Sequence, residues 1–411
     1  MKIVIKNYLM LYLLIIFSFL IRIVVVYHYG DIRLENEWGI LVNNLYNHGK
    51  LSLYSFDGNF IPSTLMPPLY VFFIFLIKII IPENIDLVKS VLNVQVIIST
   101  FSIFLFYKLN NFFFTKKWSI FNSFLLSIFP LNIYTSSQIS SITLQVFLSI
   151  LFLYLLFDLC MQKKIEFFKI LYFSITAGFL MLLRGEFYLI YIASLFYLFI
   201  IKKINFKKLS IIFLISLLFI SPYLARNYLI FNKIVLTNSV GYNLWKGNNP
   251  FSTVEGSEMV SSREYKQYFK NKILKETNDL PKNNFYEFHY NDFFLEQGLI
   301  HIKEKPFLFL ERFVKKTVVF FYFNIDSDYP NYYHPLFIIP TLLISFLSSI
   351  GIIVSIKKLN FEKKYLLLYM LFTICIFSLF FILPRYKMII LPIQLIFMNY
   401  FFIEFFKRKI N

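Results

Sequence analysis

The stretch that decides the fold is YLMLYLLIIFSFLIRIVVVYHYGDIRLENEWGILVNNL, residues Tyr8–Leu45. Tyr8–Tyr27 is almost entirely apolar and has about the 20 residues that a helix needs to cross a bilayer. Directly after this run, Asp31, Glu35 and Glu37 place three carboxylates within seven residues. The chain has only 23 Asp and Glu among 411 residues, so this concentration at the end of a membrane span predicts a functional site.

The composition indicates a membrane protein. Apolar residues make up 58% of the chain, charged residues 16%, and the net charge is +18; the mean hydropathy of +0.64 is too high for a soluble globular protein. Basic residues accumulate in the cytoplasmic loops of membrane proteins, so the positive charge requires no nucleic acid partner. Cys160 and Cys375 lie in apolar runs and have neither disulfide nor metal-site spacing. We expect no cofactor and no metal motif, although a divalent ion held by carboxylates stays an open alternative.

Apolar length and Lys/Arg bias together predict an all-α polytopic membrane protein with about ten spans. Lys2 and Lys6 place the N-terminus inside, and no small-residue cleavage site follows the first run, so we expect it to be an uncleaved span. Each later inside loop carries a Lys/Arg cluster. The predicted spans are Tyr8–Tyr27, Leu87–Tyr107, Trp118–Tyr134, Thr143–Leu159, Ile170–Leu183, Phe187–Ile201, Leu209–Ala225, Pro335–Ile356, Tyr365–Leu383 and Met388–Phe406.

The same reasoning predicts one membrane domain, residues 1–411, with two outer loops. The first, residues 28–82, contains the short apolar run Pro67–Pro82, which is expected to lie in the membrane interface. The second, residues 228–333, contains Phe307–Phe323, expected to be an amphipathic helix on the outer surface. Counting either short segment as a full span would place the later Lys pairs outside.

Charged residues from distant segments are predicted to meet at the outer boundary. Arginine at a membrane boundary is costly unless it is paired or functional, and guanidinium groups bind phosphate in bidentate geometry. Several arginines at one depth therefore suggest a site for a lipid phosphate. The candidates are Arg184 and Glu186 between two spans, Arg226 at the end of a span, and Arg385, Tyr386 and Lys387 between the last two spans.

Each of these residues also has an ordinary explanation. Arg184 and Glu186 would form a salt bridge that closes a hairpin, and Arg385 and Lys387 would extend to the outer headgroups. Arg226 would anchor a helix end, and the acidic segment would be a solvated loop. All four explanations holding together is less plausible than a shared site.

A carboxylate beside a bound phosphate can act as general base towards an acceptor hydroxyl. Neighbouring arginines would keep that carboxylate ionised and stabilise a phosphate leaving group. The candidates are Glu37, Glu35 and Asp31. Glu35 and Glu37 are two residues apart and would not share a helix face, so one could face the substrate while the other stabilises the loop.

Five segments carry a family resemblance. Ser221–Pro250 is the most specific, with a Pro-aromatic-x-x-Arg-Asn end of a span and a later GYNLWKGNNP stretch. The others are ENEWGILVNNL (Glu35–Leu45), MPPLYVFFIFLIK (Met66–Lys78), LPRYKMIILP (Leu383–Pro392) and, less specifically, LLRGEFYL (Leu182–Leu189). Together they resemble the GT-C fold membrane glycosyltransferases, and more narrowly the bacterial family 39 type, related to protein O-mannosyltransferases and the aminoarabinose–lipid A transferase.

The resemblance implies transfer of a sugar from a polyprenyl-phosphate donor to an acceptor hydroxyl, with inversion, at the periplasmic face of a bacterial inner membrane. It places the base in the first outer loop, at Glu35 or Glu37, with Glu37 favoured because it precedes Trp38. One departure is Met66, where the aminoarabinose transferase has a lysine that contacts phosphate. The acceptor stays open among a lipid, a glycan and a protein.

The large outer loop is the segment expected to recognise the acceptor. Tyr242 and Trp245 would stack on a sugar or pack at the interface, and Asn248 and Asn249 follow them. Gly241, Gly247 and Pro250 suggest a turn-rich start to this loop, and Ser262–Thr277 alternates charges as a solvated helix does.

Two other classes of function stay in competition with a transferase. A flippase or transporter for a polyprenyl-linked sugar predicts charged residues deep in the spans and helices broken in mid-membrane. A glycan polymerase or ligase would use a similar donor and outer-face arginines. The spans are nearly free of charge and the charges collect at one boundary, which favours chemistry at one face.

Overall fold

The computed structural model describes residues 2–162, 165–255, 262–325, 332–356 and 359–410, and these are mostly helical. These residues also contain a two-stranded antiparallel sheet. The elements are α1 (Lys2–Tyr29), α2 (Glu37–His48), β1 (Ser52–Phe56), β2 (Asn59–Pro62), α3 (Pro68–Ile80), α4 (Leu87–Asn110), α5 (Lys116–Ile128), α6 (Pro130–Ser136), α7 (Ile142–Met161), α8 (Phe167–Leu183), α9 (Phe187–Ile200), α10 (Phe206–Phe231), α11 (Val240–Asn248), α12 (Arg263–Tyr268), a π-helical turn (Phe269–Leu274), α13 (Lys275–Asn278), α14 (Tyr286–Glu304), α15 (Pro306–Phe321), α16 (Pro335–Ile356), α17 (Phe361–Leu379), a 3₁₀ segment (Pro384–Ile389) and α18 (Leu391–Ile410).

The polytopic membrane architecture is confirmed. Within the described ranges, five helices are long and apolar enough to cross a membrane, α1, α4, α7, α10 and α16, and shorter apolar helices occur at α3, α8, α9 and α18. Each predicted span falls on a helical segment, but the number ten stays a prediction. One predicted span, Trp118–Tyr134, is not continuous, because α5 ends at Ile128 and α6 begins at Pro130. Proline lacks the N–H that would continue the helix, and Phe129 is extended with φ −64° and ψ 116°.

The break between α5 and α6 is closed by two polar side chains. Pro130 has no N–H to donate to the carbonyl of Leu126, and the Asn132 amide donates to it at 3.2 Å. Arg22 of α1, which is fully buried, donates to the Ser127 carbonyl at 3.1 Å and to the Ser99 hydroxyl of α4 at 2.8 Å. Arg22 is therefore an exception to the interpretation of the spans as nearly free of charge. Its guanidinium connects α1, α4 and α5.

The segment predicted to be the first outer loop contains two helices, α2 and α3, and also a β-hairpin that the all-α interpretation missed. The strands pair Tyr54 with Ile61 and Phe56 with Asn59. Asp57 and Gly58 between them have φ values of 48° and 78°. Positive φ at both central residues matches the tight turn that an Asp-Gly pair favours, so the sequence signal for this hairpin was present.

Gly241 and Gly247, which suggested turns, lie in a helix, α11, although the residues before and after that helix, 232–239 and 249–252, are bends, turns and irregular chain. Gly241 and Gly247 are needed for close packing. A Cβ on Gly241 would lie 2.0 Å from the carbonyl oxygen of Asn291 in α14, and a Cβ on Gly247 would lie 1.8 Å from that of Phe380, just after α17. The predicted helix at residues 262–277 is present as α12, the π turn and α13, and it buries Ile273 completely.

Gly247→Ala should therefore destabilise the protein by about 1–3 kcal/mol, the usual cost of forcing an extra group into a packed site. The change would push α11 away from the chain after α17. Thermal unfolding in detergent micelles measures the effect, with Val240→Ala, at an exposed position of the same helix, as the matched control. Equal stability of the two variants would show that α11 does not need this close approach.

Candidate active site at the outer boundary

Asp31 is fixed by the turn that follows α6. Its backbone N–H donates to the carbonyl of Ser137 at 3.0 Å, and its carboxylate accepts from the Ile139 N–H at 2.6 Å. Burial raises the pKa of Asp31, while the bond from Ile139 and the charge of Arg385 lower it. The structure thus holds a half-buried carboxylate in one orientation beside a cation.

Arg385 acts on both Asp31 and a second cation, Lys246, from a distant segment. Arg385 belongs to the 3₁₀ segment between α17 and α18, and Lys246 belongs to α11. Burial lowers the pKa of Lys246, the charge of Arg385 lowers it further, and Glu37 raises it. The Lys246 ammonium also lies 4.4 Å from the ring centre of Phe381. Asp31, Arg385, Lys246 and Glu37 therefore share one electrostatic neighbourhood.

The hairpin between α8 and α9 attaches beside Arg385. The Arg184 guanidinium lies 5.0 Å from the ring centre of Tyr386, the residue that follows Arg385. Its Nε donates to the side-chain oxygen of Gln145 at 2.9 Å, and its Nη1 lies 4.0 Å from the Glu186 carboxylate. Arg184 therefore forms the salt bridge with Glu186 that closes the hairpin and also packs beside the segment that contains Arg385.

The two glutamates of the acidic segment differ in position. Glu35 is 72% exposed and lies 3.5 Å from Arg33, which is equally exposed. Glu37 is the first residue of α2 and is also exposed, but its charge raises the pKa of both Tyr242 and Lys246 in the large loop. Glu37 thus faces α11, whereas Glu35 stays at the surface with Arg33.

Lys387 does not point into this group. It is 3% exposed, and its ammonium donates to the carbonyl oxygens of Phe320 and Phe321 at the end of α15. Those carbonyls are among the last of a helix, which have no partner within the helix. The expected phosphate contact from Lys387 is therefore replaced by a helix-capping role.

Asn248 and Asn249 are buried and bonded within the protein. The Asn248 amide donates to the carbonyl of Leu379 at 2.9 Å, and its side-chain oxygen accepts from Lys316 at 3.2 Å. The side-chain oxygen of Asn249 accepts from the N–H of Phe251 at 2.9 Å. These residues fix the end of α11, and the expectation that they face an acceptor does not match their positions.

Trp245 belongs to the core of the large loop. It is 2% exposed, and its ring centre lies 4.7 Å from that of Phe294. Of the two aromatic residues expected to meet a sugar, only Tyr242 keeps an accessible edge, since it is half-buried. Trp245 supports it from behind, at 6.4 Å between ring centres.

Arg226 lies in a second cluster that anchors the first outer loop. Its guanidinium donates to the carbonyl of Ser63 at 2.9 Å. Beside it, the buried carboxylate of Glu287 accepts from the Thr64 N–H at 2.7 Å, and the N–H of Asn238 donates to the Thr64 carbonyl at 2.9 Å. Burial raises the pKa of Glu287. We find here a structural joint between the two outer loops.

Sequence reasoning missed two residues in these clusters. Lys246 lies in the GYNLWKGNNP stretch on which the family resemblance depends, so a signal for it existed. Glu287 is one acidic residue on a helix with several others, and nothing in its local sequence marks it. Within the described residues, no three His, Cys, Asp or Glu side chains cluster at metal-binding distance.

Comparison with known proteins supports the fold. No family model matches the chain, and no curated protein matches it. Solved structures of the archaeal oligosaccharyltransferase AglB from Archaeoglobus fulgidus do match. One, in complex with an inhibitory peptide and a dolichol-phosphate, is 16% identical with a TM-score of 0.55, covering 98% of this chain and 51% of that one. Another, tethered to an acceptor peptide containing the NVT sequon, is 15% identical with a TM-score of 0.57, covering 97% and 50%. The apo form is 13% identical with a TM-score of 0.54, covering 98% and 51%.

The chain therefore has the GT-C fold, as the resemblance predicted, and is a multi-pass membrane protein. It spans about half the length of the solved structures that it matches. The likeness at this level of identity concerns the fold, and the finer assignment to the family 39 type stays a prediction.

Removing the Glu287 carboxylate should loosen the first outer loop. In Glu287→Ala the N–H of Thr64 loses its acceptor, which leaves a buried donor unpaired at a cost of about 1–3 kcal/mol. We expect faster amide hydrogen exchange at residues 63–65, measured by mass spectrometry of the protein in nanodiscs. Glu296→Ala, at an exposed position of the same helix, is the control. Unchanged exchange in Glu287→Ala would mean that this joint does not hold the loop.

Proposed function

We propose that the protein is a membrane glycosyltransferase that moves a sugar from a polyprenyl-phosphate donor to an acceptor hydroxyl. The observation that carries this is the half-buried Asp31 carboxylate, oriented by Ile139 and placed in the field of Arg385, which also acts on Lys246. The GT-C fold adds support, since one AglB structure of the same fold contains a dolichol-phosphate. The acceptor is a lipid, a glycan or a protein hydroxyl.

The arrangement suits an inverting transfer. The acceptor hydroxyl would give its proton to the Asp31 carboxylate while its oxygen attacks the anomeric carbon of the sugar. The bond between that carbon and the phosphate oxygen would break on the opposite face, and its electron pair would leave with the polyprenyl phosphate. Arg385 and Lys246, with Arg184 beside them, would stabilise the charge on this leaving group.

Asp31 is a better base than the two glutamates. A general base needs a fixed position and a pKa moved towards the working pH. Asp31 has both, because two hydrogen bonds hold it and burial raises its pKa. Glu35 is at the surface beside Arg33, and the exposed Glu37 lies towards α11, where we assign it to binding. This changes the preference for Glu37 that the resemblance suggested.

We propose that this site lies at the periplasmic face of a bacterial inner membrane, which agrees with the predicted topology. All the segments that meet there, the end of α1, the turn after α6, the hairpin after α8 and the segment after α17, lie on the outer side of the predicted spans. The donor would come from the membrane, and its phosphate would reach the site at the boundary.

Two observations favour a flippase as the second candidate function. Arg22 is a charge buried within the described spans, and the helix between α5 and α6 is broken. Transporters use such features to bind a cargo in mid-membrane. Here, however, Arg22 bonds to Ser127 and Ser99 of the protein itself, so the break has a structural explanation.

Asp31→Asn should abolish sugar transfer and leave donor binding within about twofold, because the amide keeps an oxygen for the Ile139 N–H but cannot take a proton. The assay follows release of free polyprenyl phosphate from polyprenyl-phosphate sugars by protein in nanodiscs, with a crude envelope extract as acceptor. Glu35→Gln is the matched control and should stay near wild type. Full turnover by Asp31→Asn would refute Asp31 as the base, and loss in Glu37→Gln alone would return that role to Glu37. Sugar crossing the bilayer without release of polyprenyl phosphate would favour the flippase.

The pH dependence of transfer should report the pKa of Asp31. The base works when deprotonated, so activity falls as the pH drops through a pKa raised above the ordinary aspartate value. Arg385 lowers that pKa, so Arg385→Gln should move the acid limb of the kcat/KM profile to higher pH. Arg33→Gln, which removes an exposed cation paired with Glu35, should leave the limb in place. An acid limb that does not move in Arg385→Gln would show that the charge of Arg385 does not act on the group whose titration limits activity.

A further inference from the structure

Beside the candidate site, four tyrosines from both outer loops form one continuous surface. Tyr54 comes from the β-hairpin, Tyr242 from α11, and Tyr286 and Tyr290 from α14. The ring centres of Tyr54 and Tyr286 lie 5.1 Å apart, those of Tyr286 and Tyr290 6.0 Å, and those of Tyr242 and Tyr290 5.8 Å. We call these four residues the tyrosine wall.

The tyrosine wall is supported from behind by an apolar layer. Phe294 is fully buried and Trp245 is 2% exposed. The ring centre of Phe294 lies 4.7 Å from that of Tyr290 and 5.2 Å from that of Tyr242. The rings of the wall are therefore held in place, and their apolar backing does not depend on a ligand.

The hydroxyls of the tyrosine wall have no hydrogen-bond partners in the described part of the chain. Buried tyrosine hydroxyls usually find such a partner, as Tyr191 does with Ser216. Tyr54, Tyr242 and Tyr290 are only half-buried. Burial raises the pKa of Tyr54 and of Tyr290, so these hydroxyls stay protonated and able to donate.

The wall also adjoins the proposed reaction centre. Burial raises the pKa of Tyr54 and of Tyr242, and the charge of Glu37 adds to the rise in both. Glu37 also acts on Lys246, and Arg385 acts on both Lys246 and Asp31. Asp31 and the tyrosine wall are thus connected through the charges of Arg385, Lys246 and Glu37. A ligand bound along the wall needs apolar faces to pack on the rings and several hydroxyls to bond to the phenols, and a sugar ring has both.

We propose that the tyrosine wall is a carbohydrate subsite, which binds a sugar ring next to the reacting centre and extends the proposed function by making a glycan the substrate class recognised there. The source of the sugar is either the donor or a glycan acceptor. Tyr54 and Tyr290 would share its hydroxyls, and Tyr242 would present its ring towards Glu37 and the reacting carbon.

The first experiment measures glycan binding without turnover. Full-length protein in nanodiscs is incubated with fluorescently labelled oligosaccharides released from the envelope of the source cells, and the retained fraction is quantified. If the wall binds an acceptor glycan, Tyr54→Phe and Tyr290→Phe, which keep the rings, should each weaken retention about threefold to tenfold, the loss of one hydrogen bond. Tyr290→Leu should then weaken it further. Tyr46→Leu, an exposed tyrosine of the same outer loop outside the wall, is the control.

A second arm identifies the source of the sugar. Binding of a polyprenyl-phosphate sugar is compared with that of polyprenyl phosphate alone. If the wall holds the donor sugar, the Phe variants weaken only the first ligand; if it holds an acceptor glycan, they weaken only oligosaccharide retention. Variants that change neither binding would overturn the subsite. If glycan retention depends on the wall but the wild-type protein releases no polyprenyl phosphate, the carbohydrate subsite is supported and the proposed transferase activity is rejected.

Discussion

The contact between Arg22 and the carbonyl of Ser127 is the constraint on which the outer site depends. A proline in the middle of an apolar segment leaves carbonyl groups without N–H partners, which is expensive away from water. Arg22 and Asn132 supply the missing donors, so the chain can turn at Pro130 and continue as α6. That turn brings the Ser137 carbonyl and the Ile139 N–H to Asp31. A buried charge in the C-terminal half of α1 thus contributes to the geometry of a carboxylate just beyond the C-terminal end of the same helix.

A second constraint acts from the opposite side of the site. Gly247 lets α11 approach the carbonyl of Phe380 more closely than any other residue would allow, and Lys316 bonds to the Gly247 carbonyl at 2.7 Å. The result is that Lys246 lies over Phe381, in the field of Arg385. Lys246 is therefore placed by backbone packing in the field of the arginine that also acts on Asp31. Such preorganisation is what stabilisation of a developing charge requires.

The sequence was informative where a single strong signal acted. Apolar length and Lys/Arg bias predicted the membrane helices, because a bilayer leaves few alternatives for the backbone. The position of Arg385 near a carboxylate followed from its depth. The same reasoning failed for Lys387, two residues away, because its ammonium donates to carbonyl oxygens at the end of α15, which is distant in the chain. The roles of Gly241 and Gly247 could not be read from turn statistics, since their partners Asn291 and Phe380 are distant in the chain.

The charged residues near the predicted membrane boundary have different bonding partners, and this difference bears on function. If these charges served only to anchor helices, each would be expected to end on a nearby carbonyl or headgroup, as Lys387 and Arg226 do on carbonyl oxygens. The Lys246 ammonium instead lies in the field of Arg385: burial lowers the pKa of Lys246, and the charge of Arg385 lowers it further. An anion bound beside these two cations would offset both effects. A phosphate fits this requirement, and its departure as a leaving group would be favoured by the same two cations. The electrostatics therefore suit a reaction that releases a phosphate at one face better than they suit passage of a charged cargo through the helices.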